Sequence, residues 1–437
     1  NMRNMKTIFW SMLALAMLVI SCGDNETGKT EVNFSPAKGE AAVYPYFNIP
    51  LIDLDGDTDR QVIVDKEEGQ YLGHPTTALL DDNKTMLCVY PKGHGKGGIV
   101  YKKSYDAGLT WTERLPVPDS WATSREVPTL YRVKDADGIK RIIMFSGLYP
   151  TRMAVTEDDG LTWSEIDSIG DWGGIVVMGA MAELKTGAGH YMTFFHDDMR
   201  FFTKDGHEKY QADREEYDSR LFTMYKTSST DGGLTWSYPE EILKSREMHL
   251  CEPGVVRSPD GKQLAMLLRE NSRRTNSQII FSNDEGKTWT DPVPLPNSLT
   301  GDRHVPRYAP DGRLVISFRD RSPRPYNIEL VGKAREQKET DYSKLAQELG
   351  IGSPTEGDWV AWVGTYDDLV NSGEGQYRIR IKDNKNGWDT TYPGVEVLPD
   401  GTFVLTTYGH WIKGESPYIL SVRFTLEEID EKAKAMK

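Results

Sequence analysis

Cysteine is almost missing from this chain. Three of 437 residues are cysteine, and only Cys88 and Cys251 lie beyond the first few dozen positions. Two thiols in some 400 residues exclude a disulfide framework. Both fall in apolar, strand-like runs and are expected to be buried free thiols. No Cys/His spacing matches a zinc motif, and the His196-Asp197-Asp198 run is too short to specify a metal site. No metal or other cofactor is implied. Positive charge is also in deficit. Lys and Arg number 52 against 66 Asp and Glu, a net charge of −14, which argues against nucleic acid as a partner. A local arginine cluster could still bind an acidic small substrate.

Apolar runs long enough to cross a bilayer are lacking too. The one sizeable run, Ile8 to Ile20, is about 13 residues, short of the ~20 a span needs. Arg3 and Lys6 precede it and Ser21-Cys22 ends it, the pattern of a secretory signal. Ending on cysteine, it resembles the lipobox of bacterial lipoproteins, which implies export and lipidation at Cys22. The expected contact with a bacterial membrane is this anchor alone, in the outer membrane and facing either the periplasm or the cell surface. Residues 1–22 then form the signal peptide. Residues 23–41 form a polar, flexible tether, and residues 42–437 form a single folded body.

What is abundant is aromatic and turn-forming. There are 11 Trp, 21 Tyr and 40 Gly, suited to a β-rich fold and to rings on which sugars stack. Ser/Thr-x-Asp-x-Gly-x-Thr-Trp occurs four times, at 104–111, 156–163, 229–236 and 282–289. In such a turn Asp accepts local N–H groups, Gly takes positive φ and Trp packs over the top. A second repeat, strand–turn–strand, occurs six times. Its turns are Asp82-Asn83, Asp137-Gly138, Thr186-Gly187, Asp260-Gly261, Asp311-Gly312 and Asp400-Gly401. Six copies predict a six-bladed, all-β propeller with four strands per blade. The sixth blade is expected to be closed by a strand drawn from residues 42–70. Insertions at about 198–220 and 322–357 interrupt blades 3 and 5, the latter with an expected helix from Asp341 to Leu349. Long loops of this kind often cover a site.

Blade geometry selects one face. The start of the inner strand and the end of the second strand share it, and the Asp turns lie opposite. Counting back eight residues from the turn aspartates reaches His74, Glu252, Arg303 and Tyr392; in blade 2 the nearest polar residues are Arg125 and Glu126. The second strands end near Lys92 and His94, Arg152, His196 and Asp197, Arg269, Arg319 with Arg321, and Tyr408 with His410. These side chains are expected to converge on the axis. Arg269 and Arg319, each ending an apolar strand, could hold a carboxylate bidentately.

The four Asp turns and the blade pattern resemble the Asp boxes of the sialidase superfamily over nearly the whole folded body. The resemblance implies a retaining exo-glycosidase in which Tyr392 is the nucleophile and Glu252 its base. A neutral phenol suits an anomeric carbon that already bears a carboxylate. Two family features are missing: Tyr71-Leu72-Gly73-His74-Pro75 has no arginine, and the Pro91 to Gly98 loop has no acid. His74 or His94 could supply the proton instead. The expected substrate is therefore a terminal, anionic sugar of an external glycan. The expected binding residues are Arg269, Arg319, Arg303, Arg125, Arg321, Arg152, His196 and Asp197. The alternatives are a glycan-binding propeller without catalysis and a protein-interaction propeller, since fold alone does not decide function.

Overall fold

The structure is a computed structural model that describes residues 46–212 and 220–436. Cys22, the signal segment and the whole of the tether fall outside the described residues.

Six sheets form a ring. Their inner strands are Thr76–Leu79, Thr129–Lys134, Ile175–Glu183, Leu250–Arg257, Gly301–Tyr308 and Gly394–Val397, for blades 1 to 6 in order. Each pairs antiparallel with a second strand. Those of blades 1, 5 and 6, Met86–Pro91, Leu314–Asp320 and Phe403–Gly409, are buried at every residue. A strand covered on both faces reads as a continuous apolar run, which is why these segments stood out in the sequence.

The apolar side chains pack as slabs between neighbouring blades. Leu87 and Val89 of blade 1 meet Ile142 and Met144 of blade 2. Phe194 of blade 3 meets Met266 of blade 4. Val363 of blade 5 meets Phe403 and Leu405 of blade 6, and Tyr408 of blade 6 meets Tyr90 of blade 1. Burial is thus shared around the ring, and no blade has a core of its own.

Strand number departs from four in two blades. Blade 1 has three, because after its Asp box only Thr112 and Leu115 donate back to the third strand. Pro116 and Pro118 then deny the ladder its donors. Blade 5 has five, because Leu51–Asp53 adds in parallel to its outer strand Tyr377–Lys382. Blade 6 is closed as expected, by Gln61–Asp65 pairing antiparallel with Tyr418–Phe424. The N-terminal segment therefore sews blades 5 and 6 together.

The Asp boxes follow their chemistry. The Asp106 carboxylate accepts from the Thr110 N–H at 2.8 Å and the Thr110 hydroxyl at 2.6 Å, while Ser104 accepts from the Gly108 N–H. Gly108 sits at φ 84°, where a side chain would strain. Boxes also grip the preceding blade: Tyr101 of blade 1 donates to the Gly160 carbonyl, and Lys226 of blade 3 to that of Gly286.

In the blade 5 insertion, helix Tyr342–Leu349 has Asp341 as its N-cap, accepting from the Lys344 N–H. A second helix, Arg324–Gln337, precedes it and packs against it through Leu330, Ala334, Leu345 and Ala346. The blade 3 insertion contains helix Lys204–Ala212.

Candidate active site

The inner strands open with an irregular backbone. His74, Val176, Glu252, Arg303 and Thr391 all have φ between 47° and 65°, a strained choice for side-chain-bearing residues. In blades 3, 4 and 5 it coincides with a register shift, as between Cys251 and Gly254 and between Asp302 and Val305. A bulge of this kind re-aims one side chain out of the strand's alternation.

Glu252 and Tyr392 meet at the hub. The Tyr392 hydroxyl donates to Glu252 Oε1 at 2.5 Å, and Arg269 Nη1 donates to the same oxygen at 2.8 Å. Glu252 Oε2 is buried without a partner. Burial raises the Glu252 carboxyl most, but the Arg269 guanidinium, the Tyr392 hydroxyl and Arg319 together overcome it and bring it down to about 2. Glu252 is therefore an anion at neutral pH. Burial and that anion push the Tyr392 phenol well above its ordinary value. The pair rests as neutral phenol and carboxylate, so the phenol can surrender its proton only as it attacks.

Three arginines surround one buried carboxylate. Asp302 accepts from Arg273 Nη2 at 2.9 Å and from Arg319 Nε at 2.9 Å and Nη2 at 2.6 Å, with Arg269 Nε 3.2 Å away. Burial opposes its charge, yet Arg269, Arg273 and Arg319 hold its carboxyl well below the usual range. This corrects the expectation for Arg269 and Arg319. They do converge, but their forks are committed to Asp302 and Glu252, and Arg319 also donates to the Trp388 and Thr390 carbonyls.

Arg321 differs. Its guanidinium lies 4.0 Å from the Trp388 ring centroid and its Nε is buried without a partner. Burial and the nearby Arg273 both disfavour its charge. It has no carboxylate partner among the described residues. Trp388 is held in turn by Glu356 of the blade 5 insertion, which accepts from its indole N–H at 2.8 Å.

A second cluster adjoins Tyr392. His74 packs 4.5 Å from the Tyr392 ring and 4.8 Å from the His94 ring. The Gly95 N–H donates to His74 Nδ1, so the ring proton lies on Nε2, which points at the Tyr408 hydroxyl 3.2 Å away. Burial, then His94, pulls His74 well below its ordinary value. It is a neutral wall behind Tyr392 with its one proton already engaged, not a free proton donor. His94 lies on the blade 1 loop, open to solvent.

Several expected residues stand elsewhere. Of the two polar residues expected at the head of blade 2, Arg125 is exposed and Glu126 is buried. Arg152 donates to Thr123 on its own blade. Arg303 turns below the Tyr392 ring, 5.8 Å from its centroid, and donates to the Gly179 carbonyl. It borders a 240 Å³ axial cavity lined by Thr77, Tyr131 and Arg307. His196 is buried with Nδ1 toward the Glu252 N–H, and Asp197 accepts from the Phe201 N–H. Both shape backbone and do not face an open site.

Glu126 carries a pH signature. Burial, added to by the Glu252 charge and opposed by N–H groups of Val176 and Val127, raises its carboxyl to about 8 from an ordinary 4.5. A carboxyl raised on folding favours the folded state fully below about 4.5, and that advantage is lost as pH climbs through 8. Glu126→Gln should thus match wild type near pH 4 and exceed it increasingly up to about pH 8, by up to about 5 kcal/mol. Thermal melts across that range check this; a constant gap would refute it.

Tyr408 and His410, expected at the end of the blade 6 second strand, do lie in this cluster; Asp389, Asp302, Arg273 and Tyr71 were not singled out by strand counting. Asp389 lies three residues before Tyr392, a position that a look just upstream of each counted head would have found.

The BNR repeat-like domain model matches residues 57–350, and the chain belongs to that family. Among solved structures it is similar to a protein of unknown function from Dyadobacter fermentans, with 16% identity, TM-score 0.60, and 83% and 97% of the two chains covered. It is also similar to an α-L-arabinofuranosidase from Fusarium graminearum solved with an iminosugar inhibitor (12%, TM-score 0.54, 85% and 98%). A third is a leech intramolecular trans-sialidase solved with 2,7-anhydro-Neu5Ac (15%, TM-score 0.53, 84% and 69%). No curated protein matches the chain. At these identities the likeness is one of fold.

Proposed function

We propose that this propeller is an exo-acting, retaining glycoside hydrolase that removes a terminal anionic sugar from external glycans, held to a bacterial membrane through lipid on Cys22. The observation that carries the reading is the 2.5 Å bond from the Tyr392 hydroxyl to Glu252, at a hub where six blades meet. Tyr392 attacks the anomeric carbon as Glu252 takes its proton, giving a glycosyl–tyrosine intermediate that water hydrolyses. The exposed His94, not the enclosed His74, gives the leaving oxygen its proton.

Charge favours an anionic sugar. Arg269, Arg273 and Arg319 are balanced in part by Asp302 and Glu252, while Arg321 has no carboxylate partner among the described residues. Arg321 is the cation left to receive the ligand's charge. The test is release of reducing sugar from a panel of sialylated, uronate-bearing, sulfated and neutral glycans. Release from anionic members supports the reading. Capture of glycans without release would instead favour a lectin-like propeller. On a released anionic glycoside, Arg321→Ala should raise KM about 10- to 100-fold with kcat little changed. Equal KM values would remove Arg321 from the binding site.

A further inference from the structure

The blade 1 loop that brings His94 to the site contains no acid, yet a carboxylate reaches the same place from blade 6. Asp389 is the collecting point of every hydrogen-bonded chain there. Its Oδ1 accepts from the Tyr71 hydroxyl at 2.7 Å and the Tyr408 hydroxyl at 3.2 Å. Its Oδ2 lies 2.8 Å from His410 Nε2. Tyr71 Oη is also 2.7 Å from His94 Nδ1, and that nitrogen lies 3.3 Å from Asp389 Oδ1 itself.

Proton counting then fixes the His94 tautomer. Tyr71 has one proton and gives it to Asp389, so the proton between Tyr71 and His94 must come from His94 Nδ1. The direct approach of Nδ1 to Asp389 requires the same. Burial would raise the Asp389 carboxyl, but the donors from His410, His94 and Tyr71 outweigh it and hold it well below the usual range. It is an acceptor at both oxygens. With Nδ1 tied, Nε2 is the only nitrogen of His94 free to exchange a proton. The side chain is 66% exposed, against 25% for Asp389, so His94, rather than the carboxylate, can meet a leaving group.

We propose that Asp389, acting with Tyr71, is the positioning residue that holds His94 as the Nδ1–H tautomer and makes Nε2 the proton-transfer atom of the site. The catalytic part of this rests on the glycosidase reading above. In the first step His94 acts as the imidazolium: its Nε2 proton passes to the leaving oxygen as that oxygen's bond to the anomeric carbon breaks, leaving the Nδ1–H tautomer. The Tyr392 oxygen bonds to that carbon and Glu252 takes the phenol proton. In the second, water adds to the carbon and loses a proton to Nε2, the tyrosyl bond breaks and Glu252 returns its proton. The sum is glycoside plus water giving a free sugar and an alcohol, with every group restored. The carboxylate–ring pairing is the one by which carboxylates orient imidazoles in other acid–base sites. The groups around the His94 ring are Tyr71, His74 and Asp389, with Tyr408 and His410 beyond them and Arg319 acting on the same cluster. Of these only Asp389 is negative.

The test needs no known substrate. Long-range 1H–15N spectra of protein labelled in its eight histidines, with His94 assigned through His94→Ala, report tautomer and titration directly. Wild type should show neutral His94 protonated at Nδ1. In Asp389→Asn the amide can donate to Tyr71, which reverses the relay. The Nε2–H form should then appear. If Asp389→Asn does not fold, Tyr71→Phe should give a mixture of tautomers. A wild-type Nε2–H form, or a tautomer that neither variant changes, overturns the proposal. On any glycan the panel finds released, Asp389→Asn should lower kcat more than it raises KM; an unmoved kcat also overturns it. If wild type releases no glycan, the glycosidase reading falls, and the tautomer result alone decides whether the relay exists.

Discussion

Tyr392→Phe should leave the propeller folded and lower turnover by at least ~1,000-fold, about 4 kcal/mol of barrier. The substitution deletes one oxygen. Glu252 keeps its bond from Arg269, and the ring keeps its packing against His74, so the change should be felt in chemistry far more than in stability. That asymmetry makes the variant more informative than Glu252→Gln, which would also unpair a buried guanidinium. Rates of sugar release, compared with melting curves of the same preparations, check the prediction. A loss smaller than tenfold, with the fold intact, would mean that Tyr392 is not the nucleophile.

Asp302→Asn should have the largest effect on stability, on the order of 3–5 kcal/mol. Asp302 is fully buried and is the shared partner of Arg269, Arg273 and Arg319. Neutralising it leaves three desolvated guanidiniums facing one another across the hub, with only Glu252 to balance them. The loss should appear as a melting temperature lowered by several degrees at neutral pH. Because the Asp302 carboxyl lies far below its ordinary value, its contribution is in place above about pH 4 and fades as acid protonates it. The gap between variant and wild type should therefore shrink only in strong acid. A melting point within a degree of wild type would show that solvent, and not Asp302, balances the arginines.

The ring was legible in the sequence because each blade repeats two local signals: a turn with a carboxylate and a glycine, and a second strand apolar on both faces. Those signals are short-range and survive insertions. The meeting of Glu252 and Tyr392, 140 residues apart, followed from counting along the inner strands, because the strand head keeps its distance from its turn even across a bulge, as in blade 4. The count fixes a position and not which neighbouring side chain is central. In blade 5 it reached Arg303, which the backbone turns below the site, while Asp302 one residue earlier is the side chain at the centre. It stopped short of Asp389, which lies in the approach to blade 6 and outside any strand. The partners of Arg269 and Arg319 were illegible for another reason. An arginine ending an apolar strand looks the same in sequence whether it awaits a ligand or is satisfied by a carboxylate from the next blade. The two helices in the blade 5 insertion show the same limit. The second was readable because Asp341 caps it, whereas the first, begun by proline and carrying mixed charge, gave little periodicity.

The stitching of blades 5 and 6 by one N-terminal segment bears on how the protein would fail. Gln61–Asp65 runs on within ten residues to Tyr71 and His74, which abut Tyr408 of the blade it closes. Fraying of that single zipper would slacken the Asp389 cluster while the slabs between the other blades stayed packed. Heat would then silence the protein before it melted it, and the temperature of half-activity would report on one hydrogen-bonded seam rather than on the ring as a whole.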